Sequence, residues 1–118
     1  MRDHKKLHAF KLSDELILTI YKTTKNFPKE EQFCLTPQLR RAALSIASNI
    51  VEGCARNSEA DYLHFLDMAY GSAREVEYQV TLANKLGYLS VEDNNSLTAK
   101  CEETSKVLNG LIRSLRGK

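Results

Sequence analysis

The run Ala60-Asp61-Tyr62-Leu63-His64-Phe65-Leu66-Asp67-Met68-Ala69-Tyr70-Gly71-Ser72-Ala73-Arg74-Glu75-Val76-Glu77-Tyr78-Gln79-Val80-Thr81-Leu82-Ala83 decides the fold. Tyr62, Leu66, Ala69, Ala73, Val76, Val80 and Ala83 recur in it at alternating spacings of four and three. That spacing keeps one apolar stripe on one helix face, and its mean of about 3.5 suits coiled-coil-like packing. Ser58 is placed to cap the helix, with Asp61 three residues on, a weaker relative of the capping box. Gly87 supplies the stop.

The same pattern extends in both directions. Upstream, Thr36-Pro37 reads as an N-cap followed by proline at the first helical position. Leu39, Ala43, Ile46, Ile50 and Cys54 then form a stripe. Downstream, Ser90 reads as a cap, and Leu97, Cys101, Thr104, Leu108, Leu111 and Leu115 continue at four and three. Near the N-terminus, Ser13 reads as a cap, with Asp14 and Glu15 at the positive end of the helix. Leu16, Ile17, Ile20 and Tyr21 form its apolar face, and Pro28 ends it. The spacing thus predicts helices over approximately 13–26, 37–57, 59–86 and 91–116. Short connections favour antiparallel neighbours, so the expected fold is all-α, an up-down-up-down four-helix bundle in a single domain over 1–118.

Composition agrees with that reading. The chain has 118 residues, 42% hydrophobic and 27% charged, enough apolar material for one core. Five glycines and two prolines are few turn signals, too few for a small β-barrel or sandwich. No window approaches 18 consecutive apolar residues, and no signal-type stretch follows the charged start, so no membrane partner is expected. Cys34, Cys54 and Cys101 are odd in number and widely spaced, which fits a reduced, cytoplasmic chain.

Chemistry-bearing patterns are sparse. A di-metal bundle needs Glu-x-x-His on two helices. This chain offers only Asp61-x-x-His64 and three histidines, so neither metal nor cofactor is expected. There is no phosphate loop, nucleophile elbow or zinc cysteine cluster, and a non-enzyme is the expectation.

Helices two and three carry small and polar residues instead. With the turn near Ser58, antiparallel partners sum to about 117. Ser45 then faces Ser72, and Arg41 comes near Glu75. Arg41, Ser45, Asn49, Glu52 and Arg56 share one side of helix two, and Ser72, Glu75 and Gln79 one side of helix three. The readings are a solvated face, a buried polar seam whose Arg41–Glu75 pair fixes the register, and, behind both, catalysis by these groups. Gly71 in a helix interior costs about 1 kcal/mol relative to alanine. Close approach of helices two and three would offset that. Leu44, Val51, Leu63, Phe65 and Met68 lie off the stripes, and a second apolar face for self-association is one reading of them.

Charge is distributed unevenly although the net is only +2. In the expected topology both termini and the turn between helices two and three share one end. That end collects Lys5, Lys6, Lys11, Arg56, Arg113, Arg116 and Lys118, while Glu30, Glu31, Glu92 and Asp93 occupy the other. The basic residues are either solubilising tails or phosphate contacts for RNA or DNA, the latter strengthened if an oligomer displays several poles together. A scaffold for protein partners, using the off-stripe apolar residues, is the alternative function.

The central segment carries a resemblance. Leu35-Thr36-Pro37-Gln38-Leu39-Arg40-Arg41-Ala42-Ala43-Leu44-Ser45-Ile46-Ala47-Ser48-Asn49-Ile50-Val51-Glu52-Gly53, followed by Phe65-Leu66 and Ala69-Tyr70-Gly71-Ser72-Ala73-Arg74-Glu75-Val76-Glu77, resembles the bacterial four-helix-bundle proteins encoded in intervening sequences of 23S rRNA genes. The accessory variability protein of diversity-generating retroelements is similar to that family. The matching positions are Gln38, Arg40, Arg41, Ser45, Asn49, Glu52, Gly53, Arg56, Phe65, Gly71, Ser72 and Glu75. The resemblance implies an antiparallel bundle, commonly a homopentamer, with no catalytic residues. Through the retroelement relatives it implies binding to nucleic acid and to a protein partner.

Overall fold

The computed structural model describes residues 2–117. Four helices account for most of them: α1 His8–Thr24, α2 Leu35–Cys54, α3 Glu59–Lys85 and α4 Val91–Arg116. α1 packs on α2 and α4, and α3 packs on the same two, so the helices form a four-membered ring about one core. The body is elongated, 45 × 24 × 19 Å. Among the described residues no helix is long and apolar enough to cross a membrane.

The apolar stripes become that core. Leu39, Ala43, Ile46, Ile50 and Cys54 of α2 are buried, as are Tyr62, Leu66, Ala69, Ala73, Val76, Val80 and Ala83 of α3. Leu16, Ile17 and Ile20 of α1 and Leu97, Cys101, Thr104 and Leu108 of α4 close it. Each large aliphatic side chain buried here contributes about 1.5–3 kcal/mol, more than an exposed ion pair can supply. Beyond Leu108 the α4 stripe drifts. Ile112 is buried, whereas Leu111 and Leu115 are half-buried. A straight helix turns at about 3.6 residues, so a pattern of alternating fours and threes slips sideways over several turns.

Two helix starts differ from the sequence reading. α1 begins at His8, five residues before Ser13. Ser13 is buried inside the helix and donates its hydroxyl to the Phe10 carbonyl at 2.8 Å. A serine mid-helix bonds back to the preceding turn in this way instead of capping. α2 begins at Leu35, before Thr36, and its N-cap Cys34 makes no side-chain bond. Glu31 takes over that task, its Oε1 accepting from the Leu35 N–H at 3.1 Å. Ser58 and Ser90 do cap α3 and α4, accepting from the N–H groups of Asp61 and Asp93 at 3.1 and 3.0 Å. At the C-terminus of α3, Gly87 sits at φ +81°. The Tyr88 N–H reaches back to the Ala83 carbonyl and the Gly87 N–H to that of Asn84, both at 3.0 Å. This Schellman turn satisfies two helix-end carbonyls.

The close helix contact lies at a different glycine from the one expected. Gly71 is exposed, and a Cβ there would meet nothing within 4 Å. At Gly53, by contrast, a Cβ would stand 2.9 Å from the Phe65 Cβ and 3.2 Å from Tyr62 Cδ1. At their turn-proximal ends α2 and α3 therefore lie too close to admit an added methyl group at Gly53.

Candidate nucleic-acid interface

The antiparallel order brings the N-terminal segment, the α2–α3 turn and the end of α4 to one pole. The N-terminal segment is tied down there. The Asp3 carboxylate accepts from the Lys5 N–H at 3.0 Å and starts a 3₁₀ turn over His4–Lys6. His4 stacks edge-on against Phe10, 4.8 Å between ring centres. The Arg2 N–H donates to the Cys54 carbonyl at 3.3 Å, satisfying one of the open carbonyls at the end of α2. Its guanidinium lies 3.9 Å above the Tyr62 ring, and its Nη1 reaches the Arg56 carbonyl at 3.5 Å.

Lys5, Lys6, Lys11, Arg56 and Arg113 are exposed around this pole. The Arg56 guanidinium lies 4.7 Å from the centre of the Phe65 ring, and His64 packs edge-on against the same ring at 5.9 Å. Arg116 is exposed and pairs with Asp67 across α3 and α4. Lys118 lies outside the described residues. Glu59 and Asp61, in the first turn of α3, add negative charge to the same end. Arg2 and Asp67 were not singled out from the sequence as interface residues. Asp67 lies 49 positions from its partner, a separation at which sequence spacing gives no signal.

The polar seam is narrower than expected. Ser45 and Ser72 meet across α2 and α3 with their hydroxyl oxygens 2.9 Å apart, at the register the sum of 117 implies. Asn49 donates from Nδ2 to the Ser45 hydroxyl at 3.0 Å and to the Ser45 carbonyl at 2.8 Å. The buried Arg41–Glu75 pair does not form. Both residues are exposed. Arg41 bonds to Gln38, and Glu75 accepts from Gln79 Nε2 at 3.2 Å, each within its own helix. Glu52 is exposed as well. Keeping both charges in water avoids the desolvation that a buried pair would incur.

The arginine that does clamp two helices is Arg40. Its Nε donates to Thr24 Oγ1 at 2.9 Å and its Nη2 to the Tyr21 carbonyl at 3.3 Å. Its guanidinium also lies 4.6 Å from the Tyr21 ring centre. In the sequence Arg40 stands out as a position of the family resemblance, and its spacing gives no sign of the α1–α2 contact, whose partners lie 16 and 19 residues away.

At the opposite pole Glu31 is a fixed anion. Besides the Leu35 N–H, it accepts from the Tyr88 hydroxyl at 2.6 Å. These bonds, the tyrosine's above all, hold its carboxyl below the usual 4.5, while the same contact pushes Tyr88 up to about 12. Next to it a groove of about 640 Å³ runs between the start of α2 and the end of α3. Phe33, Tyr78 and Leu86 line it and are exposed. A second groove, of about 410 Å³ between α1 and α2, is lined by Phe10, Ile17, Leu44 and Val51.

Cys54 and Cys101 are buried, and burial pushes both thiols up, Cys101 to about 12. Neither is poised as a nucleophile, since the thiolate is the reactive form. Among the described residues no group of three or more His, Cys, Asp or Glu could hold a metal ion.

No curated protein matches the chain. A solved structure does, with a TM-score of 0.81 and 28% identity, covering 89% of this chain and 95% of its own. It is a protein with unknown function from the S23 ribosomal protein family of Bacteroides thetaiotaomicron VPI-5482. The family profile described as 23S rRNA-intervening sequence protein matches residues 5–110. With nine-tenths of the sequence inside that match and the helical bundle shared with the solved relative, the chain belongs to the 23S rRNA-intervening sequence protein family.

Proposed function

We propose that this chain is a non-enzymatic, oligomeric bundle protein that binds RNA or DNA through its basic pole, in the cytoplasm. One observation carries the reading. Lys5, Lys6, Lys11, Arg56 and Arg113, from three separate parts of the sequence, are exposed around one end of the molecule. Phosphate contacts of this kind act additively and need no shaped pocket. Oligomerisation is supported by Leu44 and Val51, both exposed and both beside the α1–α2 groove. Two buried thiols and no disulfide partner fit a reducing compartment.

The test is binding to labelled structured RNA and duplex DNA across a salt series. Each phosphate contact should add roughly 0.7–0.9 to the slope of log affinity against log salt. The variant Arg113→Ala/Arg116→Ala/Lys118→Ala should bind more weakly and melt as the parent does, apart from the small contribution of the exposed Arg116–Asp67 pair. No binding at low salt would turn the reading to a scaffold for protein partners. The groove bearing Phe33, Tyr78 and Leu86 favours that second reading, since apolar side chains exposed together around one groove mark interaction sites.

A further inference from the structure

We propose that the basic pole is built for single-stranded rather than duplex nucleic acid, with a base stacking on the outer face of the Arg56 guanidinium; this rests on the nucleic-acid reading above. Arg56 is exposed, yet one face of its guanidinium is supported at 4.7 Å by the Phe65 ring. His64, itself exposed, packs edge-on against that ring at 5.9 Å. Phe65 is half-buried, and its Cβ lies close to Gly53 of α2, where no side chain intervenes. Beside it a second stack repeats the arrangement, Arg2 at 3.9 Å above the buried Tyr62. The two are linked by the bond from Arg2 Nη1 to the Arg56 carbonyl.

A guanidinium seated over an aromatic ring is a planar cation that can offer its other face to a partner. An unpaired base fits that face, because bases of single strands stack on aromatic rings and arginine planes alike. A base inside a duplex has both faces covered by its neighbours. The charge around the stack argues the same way. Glu59 and Asp61 stand in the first turn of α3, next to Arg56, and weaken the attraction for phosphate there. Two arginines seated over aromatic rings, with carboxylates in the adjoining helix turn, are poorly suited to a phosphate clamp and better suited to gripping a base.

The experiment compares wild-type protein on three labelled probes of equal length: a uridine-rich RNA strand, the same strand with its bases removed at central positions, and an RNA duplex. The expected order is intact strand tightest, with the abasic strand and the duplex each weaker by roughly tenfold. Arg56→Lys keeps the charge and removes the plane, so it should erase the preference for the intact strand over the abasic one. Being a change at an exposed position, it should leave the helical signal and the melting temperature as they are. Equal affinity for intact and abasic strands, or an unchanged preference in Arg56→Lys, overturns the stacking proposal and leaves nucleic-acid binding standing. Absence of binding to all three probes at low salt overturns both.

Discussion

Glu31 illustrates how much one side chain carries in this fold. Its two oxygens join the start of α2 to Tyr88, so a loop residue performs the capping that Thr36 was expected to do. The bonds favour the charged carboxylate, and its pKa is depressed on folding. A depressed carboxylate contributes stability above its unfolded pKa and loses it as the pH falls through the folded value. The Glu31→Gln variant should therefore show a flatter loss of stability in acid, below the usual 4.5, than the parent. Tyr88 has the opposite sign. Its hydroxyl is held protonated to about 12 against an ordinary 10, so stability should fall as the pH rises between those values. In Tyr88→Phe the tyrosine's share of the alkaline loss should disappear and the Glu31 carboxyl should titrate closer to 4.5. Denaturant melts across pH read the first effect, and NMR titration of the Glu31 side chain reads the second. An unmoved Glu31 pKa in Tyr88→Phe would show that the tyrosine does not hold it.

The helices themselves were legible because their stripes repeat over many turns and bury the residues that the pattern selects. α3, with the longest unbroken alternation, reads correctly from Tyr62 to Ala83. Ends were legible only where a single side chain or glycine does the work, as at Ser58, Gly87 and Ser90. They failed at Ser13, whose hydroxyl bonds back inside the helix, and at Thr36, where the capping group comes from a preceding turn. The seam was half legible. Its register follows from the turn position, so Ser45 meets Ser72. Whether Arg41 and Glu75 extend far enough to meet depends on competing partners in their own helices, which spacing does not reveal. Gly53, at the end of α2, and Gly71, in the middle of α3, give an element-scale test of the packing. Gly53→Ala places a methyl group 2.9 Å from the Phe65 Cβ, so α2 and α3 must separate there, at a cost of about 1–3 kcal/mol. Gly71→Ala meets open space and should stabilise by about 0.5–1 kcal/mol through helix propensity. Urea melts of the two variants should move in opposite directions. A shared direction would mean that α2 and α3 do not close on each other at Gly53.

At the scale of the molecule, charge and apolar surface are separated. Lys5, Lys6, Lys11, Arg56 and Arg113 are exposed at one end, whereas the exposed Leu44 and Val51 lie along the side of the bundle, beside the α1–α2 groove. Association through that side would hold the bundles alongside one another and turn their basic poles toward a common surface. A single pole with a few exposed lysines and arginines, offset by Glu59 and Asp61, binds phosphate weakly. Several poles acting on one strand gain from effective concentration, by about 10²–10⁴ over a single site. Affinity should therefore depend on residues that never touch the nucleic acid. The variant Leu44→Gln/Val51→Gln removes apolar contact without altering the net charge or any basic residue. Light scattering should show it smaller than the parent, circular dichroism should show the same helix content, and affinity for a long RNA should drop by about a hundredfold or more, the low end expected for lost avidity. Its affinity for an oligonucleotide short enough to reach one pole should stay as it was. If the parent protein is itself monomeric, or if the variant keeps the parent's mass, the α1–α2 groove is not where the copies meet. If the mass falls while affinity for long RNA holds, the poles act singly, and the side-by-side arrangement contributes nothing to binding.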